Sequence, residues 1–257
     1  MHLTTIYHHG GIMNHQQYIN YLIASNAWQE AMALIPVMEA KGVDSWELWK
    51  QLADSQFQQG RFPVACEAYE RMTLLRPLPV NSQGQLAYCY LRMRKRDLAE
   101  TLLEHLLSHS GKLKLPDLEL ITRATIRMKS LDLLERASDE GRSRFPEVAL
   151  FWFAAGETAK GRGLDRSALK FYEKAVEQDP SDTSFRIALC HQQIACQKLD
   201  AAAETLAIDV SSVDSLANLL RIKILFGILN DRDGLCACQS ELASWYYRIT
   251  SELRQEP

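Results

Sequence analysis

The sequence predicts an all-α protein, an α-solenoid of antiparallel helix pairs closed by a C-terminal capping helix. Three observations carry that reading. Apolar residues recur at three- and four-residue spacing in blocks of about a dozen, the period of amphipathic helices. Stretches far apart repeat each other at one offset of 103 residues: Trp49 with Trp152, Gly60 with Gly163, Ala65 with Ala168, Tyr69 with Tyr172 and Pro77 with Pro180. Glycine and proline are few, 12 and 8 of 257 residues, so they read as punctuation between helices rather than as loop-rich composition.

The offset is three times 34 plus one, and a period of 20–50 residues is the mark of a stacked repeat. Residues 149–182 show the unit best. Counting Ala149 as position 1, they supply Trp152 at 4, Gly156 at 8, Ala168 at 20, Tyr172 at 24, Ala175 at 27 and Pro180 at 32. Residues 46–79 supply Trp49, Leu52, Ala53, Ala65, Tyr69 and Pro77 in the same register. With these residues at these spacings the chain resembles the tetratricopeptide-repeat (TPR) family.

The register extends in both directions. Residues 12–45 keep Tyr18 and Ala31, with Pro36 expected to disturb their second helix. Residues 80–113 keep Leu86, Ala87, Tyr90 and Ala99, while 114–148 hold one extra residue and regain Pro146. Residues 183–216 keep Leu189 and Ala202. In 217–253, Leu235, Cys238, Leu242, Trp245 and Ile249 form one helical stripe, read as the cap. About seven helix pairs are thus expected in a single array over 12–253, after a disordered lead at 1–11 and before a tail at 254–257.

Within a unit the small residues let two helices approach while Trp152 and Tyr172 fill the space between turns. Gly60 and Gly163 stand where a first helix stops and the chain needs a left-handed residue. Pro77 and Pro180 follow the second helix and prevent its continuation. No unit buries its apolar face alone, so units stack.

Composition narrows function mainly by exclusion. A net charge of −3 gives no general attraction to nucleic acid or anionic membrane, and neither is expected as partner. The most apolar stretch, "SLANLLRIKILFGIL", is interrupted by Arg221 and Lys223. The N-terminal residues lack a signal-peptide pattern, and Met13 is a candidate alternative start. Six cysteines without a Cys-x-x-Cys pair read as reduced packing residues, so a cytoplasmic protein is expected. No phosphate loop, nucleophile elbow or metal cluster is present, so neither enzyme activity nor a cofactor is expected. His105 and His109 lie four apart but lack a third ligand. The basic run "RMRKRD" at 92–97 reads as a solvated turn, or as a docking patch for an acidic segment.

The resemblance implies that first helices line a concave groove which binds peptides or partner domains. Positions 5, 9 and 12 then nominate Lys50, Asp54 and Phe57 in one unit, and Tyr88 with the adjacent Arg92 in the next. Arg123 and Arg127 follow, then Phe153 and Glu157, then His191. Arginine and aromatic residues in such a lining are favoured as binding hot spots. The carboxylate clamp of chaperone-binding relatives does not fit, since Asp54 stands where its asparagine should be. The function expected is a non-enzymatic scaffold, adaptor or chaperone-like protein holding a partner segment in its groove. Alternatives are a self-associating structural subunit, forming a homo-oligomer or sitting in a larger complex, and a bacterial secretion-system chaperone.

Overall fold

A computed structural model describes residues 6–8, 11–13 and 15–253. Fourteen α-helices and one short hairpin occur among these residues, and the fold is all-α in class. The chain divides into two compact units, Met1–Met128 and Lys129–Pro257.

In the lead expected to be disordered, β1 (Ile6–His8) pairs antiparallel with β2 (Gly11–Met13) in the register Ile6 to Met13. Ile6, Tyr7 and Ile12 are strand-forming types, which the helix-period reading passed over. Residues 1–5, 9 and 10 of that lead, and the tail at 254–257, lie outside the described residues.

The first unit continues with α1 (His15–Ala24), α2 (Trp28–Glu39), α3 (Trp46–Gln58), α4 (Phe62–Leu75), α5 (Val80–Arg92), α6 (Arg96–Ser108) and α7 (Leu115–Met128). Pro36 does not break α2, which runs through it to Glu39. It sits in the last turn, where a missing N–H costs one bond, and its own carbonyl still accepts from Ala40 N. The core gathers Ile19, Leu22, Ile35, Leu48, Trp49, Leu52, Tyr69, Met72 and Cys89. Trp49 is fully buried, and its indole N–H donates to Glu39 Oε1 at 2.5 Å.

The second unit holds α8 (Leu131–Arg144), α9 (Ala149–Gly161), α10 (Asp165–Gln178), α11 (Thr183–Ala195), α12 (Leu199–Leu206), α13 (Leu216–Ile228) and α14 (Arg232–Leu253). Trp152, the repeat partner of Trp49, is only half-buried, donates to Pro146 O at 2.7 Å and lies beneath Arg142. The tyrosines are better conserved in environment: Tyr69 and Tyr172 are both fully buried. A Cβ on Gly156 would lie 2.5 Å from the Tyr172 ring, so this position must be glycine for that ring to fit. The expected cap forms as α14, with Cys238 buried and Leu235, Leu242 and Trp245 against the core shared by α11 and α13. The side chain of Ile249 lies outside the described residues.

The repeat is clearest in the backbone. Apart from Gly42, which follows α2, positive φ among the described residues occurs at Asn26, Gly60, Arg94, Lys129, Gly163, Gln197 and Asn230, each at the turn from a first to a second helix. Their separations are 34, 34, 35, 34, 34 and 33 residues, which puts the turns on one repeat and locates the extra residue between the third and the fourth. At six of these turns the next N–H reaches back to the carbonyl five residues earlier, as Arg61 N to Gln56 O at 2.9 Å and Lys198 N to Gln193 O at 2.8 Å. That bond satisfies an orphan helix carbonyl and defines the Schellman turn. The division between units falls at the fourth turn, so α7 ends one unit and α8 begins the other.

Candidate functional site

In the N-terminal unit the first helices α3, α5 and α7 carry most of the nominated residues. Phe57 ends α3 and Tyr88 lies mid-way along α5; their rings meet edge-on with centroids 5.8 Å apart. Phe62, at the start of α4, completes the group, 5.8 Å from Phe57 and 5.6 Å from Tyr88. It escaped the sequence reading because it belongs to a second helix, and only the tight turn at Gly60 brings it round.

Two cations lie over this aromatic floor. The Arg92 guanidinium is 4.3 Å from the Phe62 centroid and that of Arg127 is 5.8 Å from the Tyr88 centroid. Stacking of this kind contributes about 0.5–1 kcal/mol at exposed sites and leaves the edge N–H donors free to point outward. Arg123 stands one helical turn before Arg127 and is exposed. Among the described residues none of these three arginines forms an ion pair.

Asp54 on α3 is engaged. Lys50 Nζ is 3.1 Å from Asp54 Oδ2, while Asp54 Oδ1 accepts from the Tyr69 hydroxyl at 2.8 Å. Gln85 Oε1 lies 2.9 Å from that hydroxyl. A phenol has one proton to give; with it on Asp54, the Gln85 amide turns to donate to the phenol oxygen. Burial first, then the neighbouring carboxylate, pushes the Tyr69 pKa well above that of an ordinary phenol. The hydroxyl therefore remains a donor, and Asp54 remains an acceptor held at both oxygens.

The second unit repeats this device. Tyr172 donates to Glu157 Oε1 at 2.6 Å, and burial, then Glu157, raises its pKa in the same way. The same offset of 103 residues relates Asp54 to Glu157, both acids, so the bond had a signature in the sequence that a packing explanation of the tyrosines overlooked. Phe153 packs against Tyr172 and Phe185, with centroids 5.8 and 4.9 Å away. His191 is half-buried; burial, then Lys160 and Arg221, holds its imidazole below the usual histidine pKa. Phe153 and Glu157 are thus largely committed to internal contacts, whereas Arg92, Arg123 and Arg127 are not.

Other nominated chemistry is dispersed. The 92–97 run straddles the turn at Arg94, where Lys95 lies 3.7 Å from Glu70 and over the Tyr90 ring. His105 and His109 are exposed neighbours with ring centroids 5.2 Å apart. Among the described residues, no group of three or more His, Cys, Asp or Glu could hold a metal ion, and no helix is long and apolar enough to cross a membrane. All six cysteines are unpaired; burial pushes Cys66 and Cys89 up to about 12.

The same architecture is found in solved structures of low sequence identity. A tetratricopeptide repeat protein of Parabacteroides merdae superposes with a TM-score of 0.66 at 12% identity, covering 88% of this chain and 90% of that one. PilF of Pseudomonas aeruginosa gives 0.61 at 16% identity, covering 83% and 98%. MamA of Desulfovibrio magneticus gives 0.55 at 14% identity, covering 63% and 92%. These likenesses concern the fold. No curated protein sequence matches the chain. The family profile described as tetratricopeptide repeat matches residues 20–220, the greater part of the molecule. With seven left-handed turns in register and that match, the chain belongs to the tetratricopeptide-repeat family.

Proposed function

We propose that this protein is a non-enzymatic interaction scaffold, an adaptor or chaperone-like protein, that holds a partner's segment on the first-helix face of its N-terminal unit. The segment it suits carries acidic side chains around one aromatic or aliphatic anchor. One observation carries this reading: Arg92 and Arg127 lie over the Phe57–Phe62–Tyr88 rings, Arg123 stands exposed one turn before Arg127, and none of the three forms an ion pair among the described residues. An acidic segment would gain charge-assisted hydrogen bonds from the arginines and burial against the rings. A basic segment would meet three arginines, while Asp54 on α3 is already bonded to Lys50 and Tyr69. The six unpaired cysteines suit a reducing compartment such as the cytoplasm.

Affinity capture with wild type, Tyr88→Ala and Arg123→Glu tests this reading. Partners held by the face should be depleted from both variants by about tenfold or more, the effect of a single hot-spot loss. If every captured partner survives both substitutions in folded protein, the face is not the binding surface.

A further inference from the structure

The last of the first helices, α13, leaves one face open. Leu216, Leu220, Ile224 and Ile228 follow at four-residue spacing and are 37%, 46%, 60% and 53% exposed. They form a single ridge about 18 Å long at 1.5 Å per residue. Scattered exposed aliphatics are ordinary on a surface, but a continuous row marks an interaction site.

The turns supply the register needed to interpret it. Gln197 corresponds to Asn230, an offset of 33 residues, so Leu220 corresponds to Ile187 of α11 and Gly227 to Ile194. Ile187 is 3% exposed and belongs, with Ile194, to the core cluster that α13 helps to complete. One pair earlier, then, this face is covered by a helix. In α13 the aliphatic residue is kept at Leu220, yet among the described residues the face has no such cover.

The margins of the ridge indicate what would cover it. At about 100° per residue, Arg221 falls along one edge and Lys223 along the other. The helix contains no acidic residue, and neither cation forms an ion pair among the described residues. After burial, Lys160 of α9 and Arg221 both hold the His191 imidazole below its usual pKa, so Arg221 has a second cation near it on this side. A second copy docking through a two-fold axis would set each edge against its own like, Arg221 beside Arg221 and Lys223 beside Lys223. We infer that the α13 ridge seats an amphipathic helix of a protein partner, with an aliphatic stripe on Leu216, Leu220, Ile224 and Ile228 and acidic residues along its flanks.

Defined peptides test this directly. Two labelled synthetic helices share one leucine stripe, one flanked by glutamates and the other by lysines, and each is titrated by fluorescence anisotropy. The glutamate peptide should bind at least about tenfold more tightly, and more weakly as salt is raised. Leu220→Gln combined with Ile224→Gln should reduce its affinity by at least about tenfold, since each aliphatic loses its buried contact. Leu74→Gln, an exposed aliphatic on α4 of the other unit and outside both proposed faces, should leave it unchanged. Arg221→Glu should shift preference toward the lysine peptide, a gain that misfolding cannot imitate. Equal binding of the two peptides, or binding of neither, overturns the proposal. So does wild-type dimerisation in sedimentation velocity that disappears in the double variant, because the ridge would then belong to a second copy.

Discussion

Replacing Gln197 by glycine should stabilise the protein, although it removes a side chain. Gln197 holds φ +60°, a conformation in which Cβ crowds the following carbonyl at a cost of about 1–2 kcal/mol. Glycine avoids that cost but loses more backbone freedom on folding, about 0.5–1 kcal/mol. The difference favours Gln197→Gly by about 0.5–1 kcal/mol, or about 2–4 °C in melting temperature per kcal/mol for a chain of this size. Arg94→Gly, at φ +61° in the other unit, should give a similar and independent gain. Asn230→Gly should change little, since asparagine tolerates this region. Gly163→Ala isolates the backbone effect: nothing lies within 4 Å of the new Cβ, so its loss of about 1 kcal/mol is strain without steric clash. Urea denaturation followed by circular dichroism ranks the four variants. A neutral Gly163→Ala, or a Gln197→Gly no more stable than Asn230→Gly, would refute the reasoning.

Gly156→Ala should cost about 1–3 kcal/mol in the same assay, because its Cβ would meet the Tyr172 ring at 2.5 Å in a filled core; a neutral result would show that the ring can move aside. Alkaline pH should destabilise the protein through buried thiols and phenols. Folding raises the pKa of Cys66 and Cys89 from 9.0 to about 12, and that of Tyr69 and Tyr172 from 10.0 by a larger margin. Their contribution is complete below the unfolded value and is lost as pH rises toward the folded one, because the unfolded chain releases these protons first. Each group adds a slope of about 1.4 kcal/mol per pH unit above its unfolded pKa. Denaturation between about pH 8 and about pH 11 should show the decline, with Tyr172→Phe making it shallower above about pH 10; an unchanged slope would contradict the buried donor role.

The architecture was legible because the unit is stamped on the chain by residues with few alternatives. Gly60 and Gly163 disclose their turns by being glycine, and Pro77 and Pro180 mark where second helices end. Arg94, Lys129 and Gln197 adopt the same conformation with no compositional sign; at Arg94 and Gln197 the closing bonds from Lys95 N and Lys198 N hold it. Pro36 misled in the opposite sense, its local rule yielding to a position in the final helical turn. For the candidate site, Tyr88, Arg92, Arg123 and Arg127 followed from register alone, whereas Phe62 reaches the same rings from a second helix. The ridge on α13 could be recognised in sequence only as apolar. Its exposure depends on which helices surround it, a tertiary property that periodicity does not encode.

The seven left-handed turns have a further consequence for how such a chain can lengthen or shorten. A cut from Gly60 to Arg94 removes the second helix of one pair and the first helix of the next, and rejoins two chain ends with the same local geometry. Deletion or duplication of that 34-residue span leaves every remaining turn with its own backbone conformation. Recombination at the turns is therefore less disruptive than recombination within a helix, and the spacings of 35 and 33 residues beside the usual 34 show that the spacing itself has room to drift.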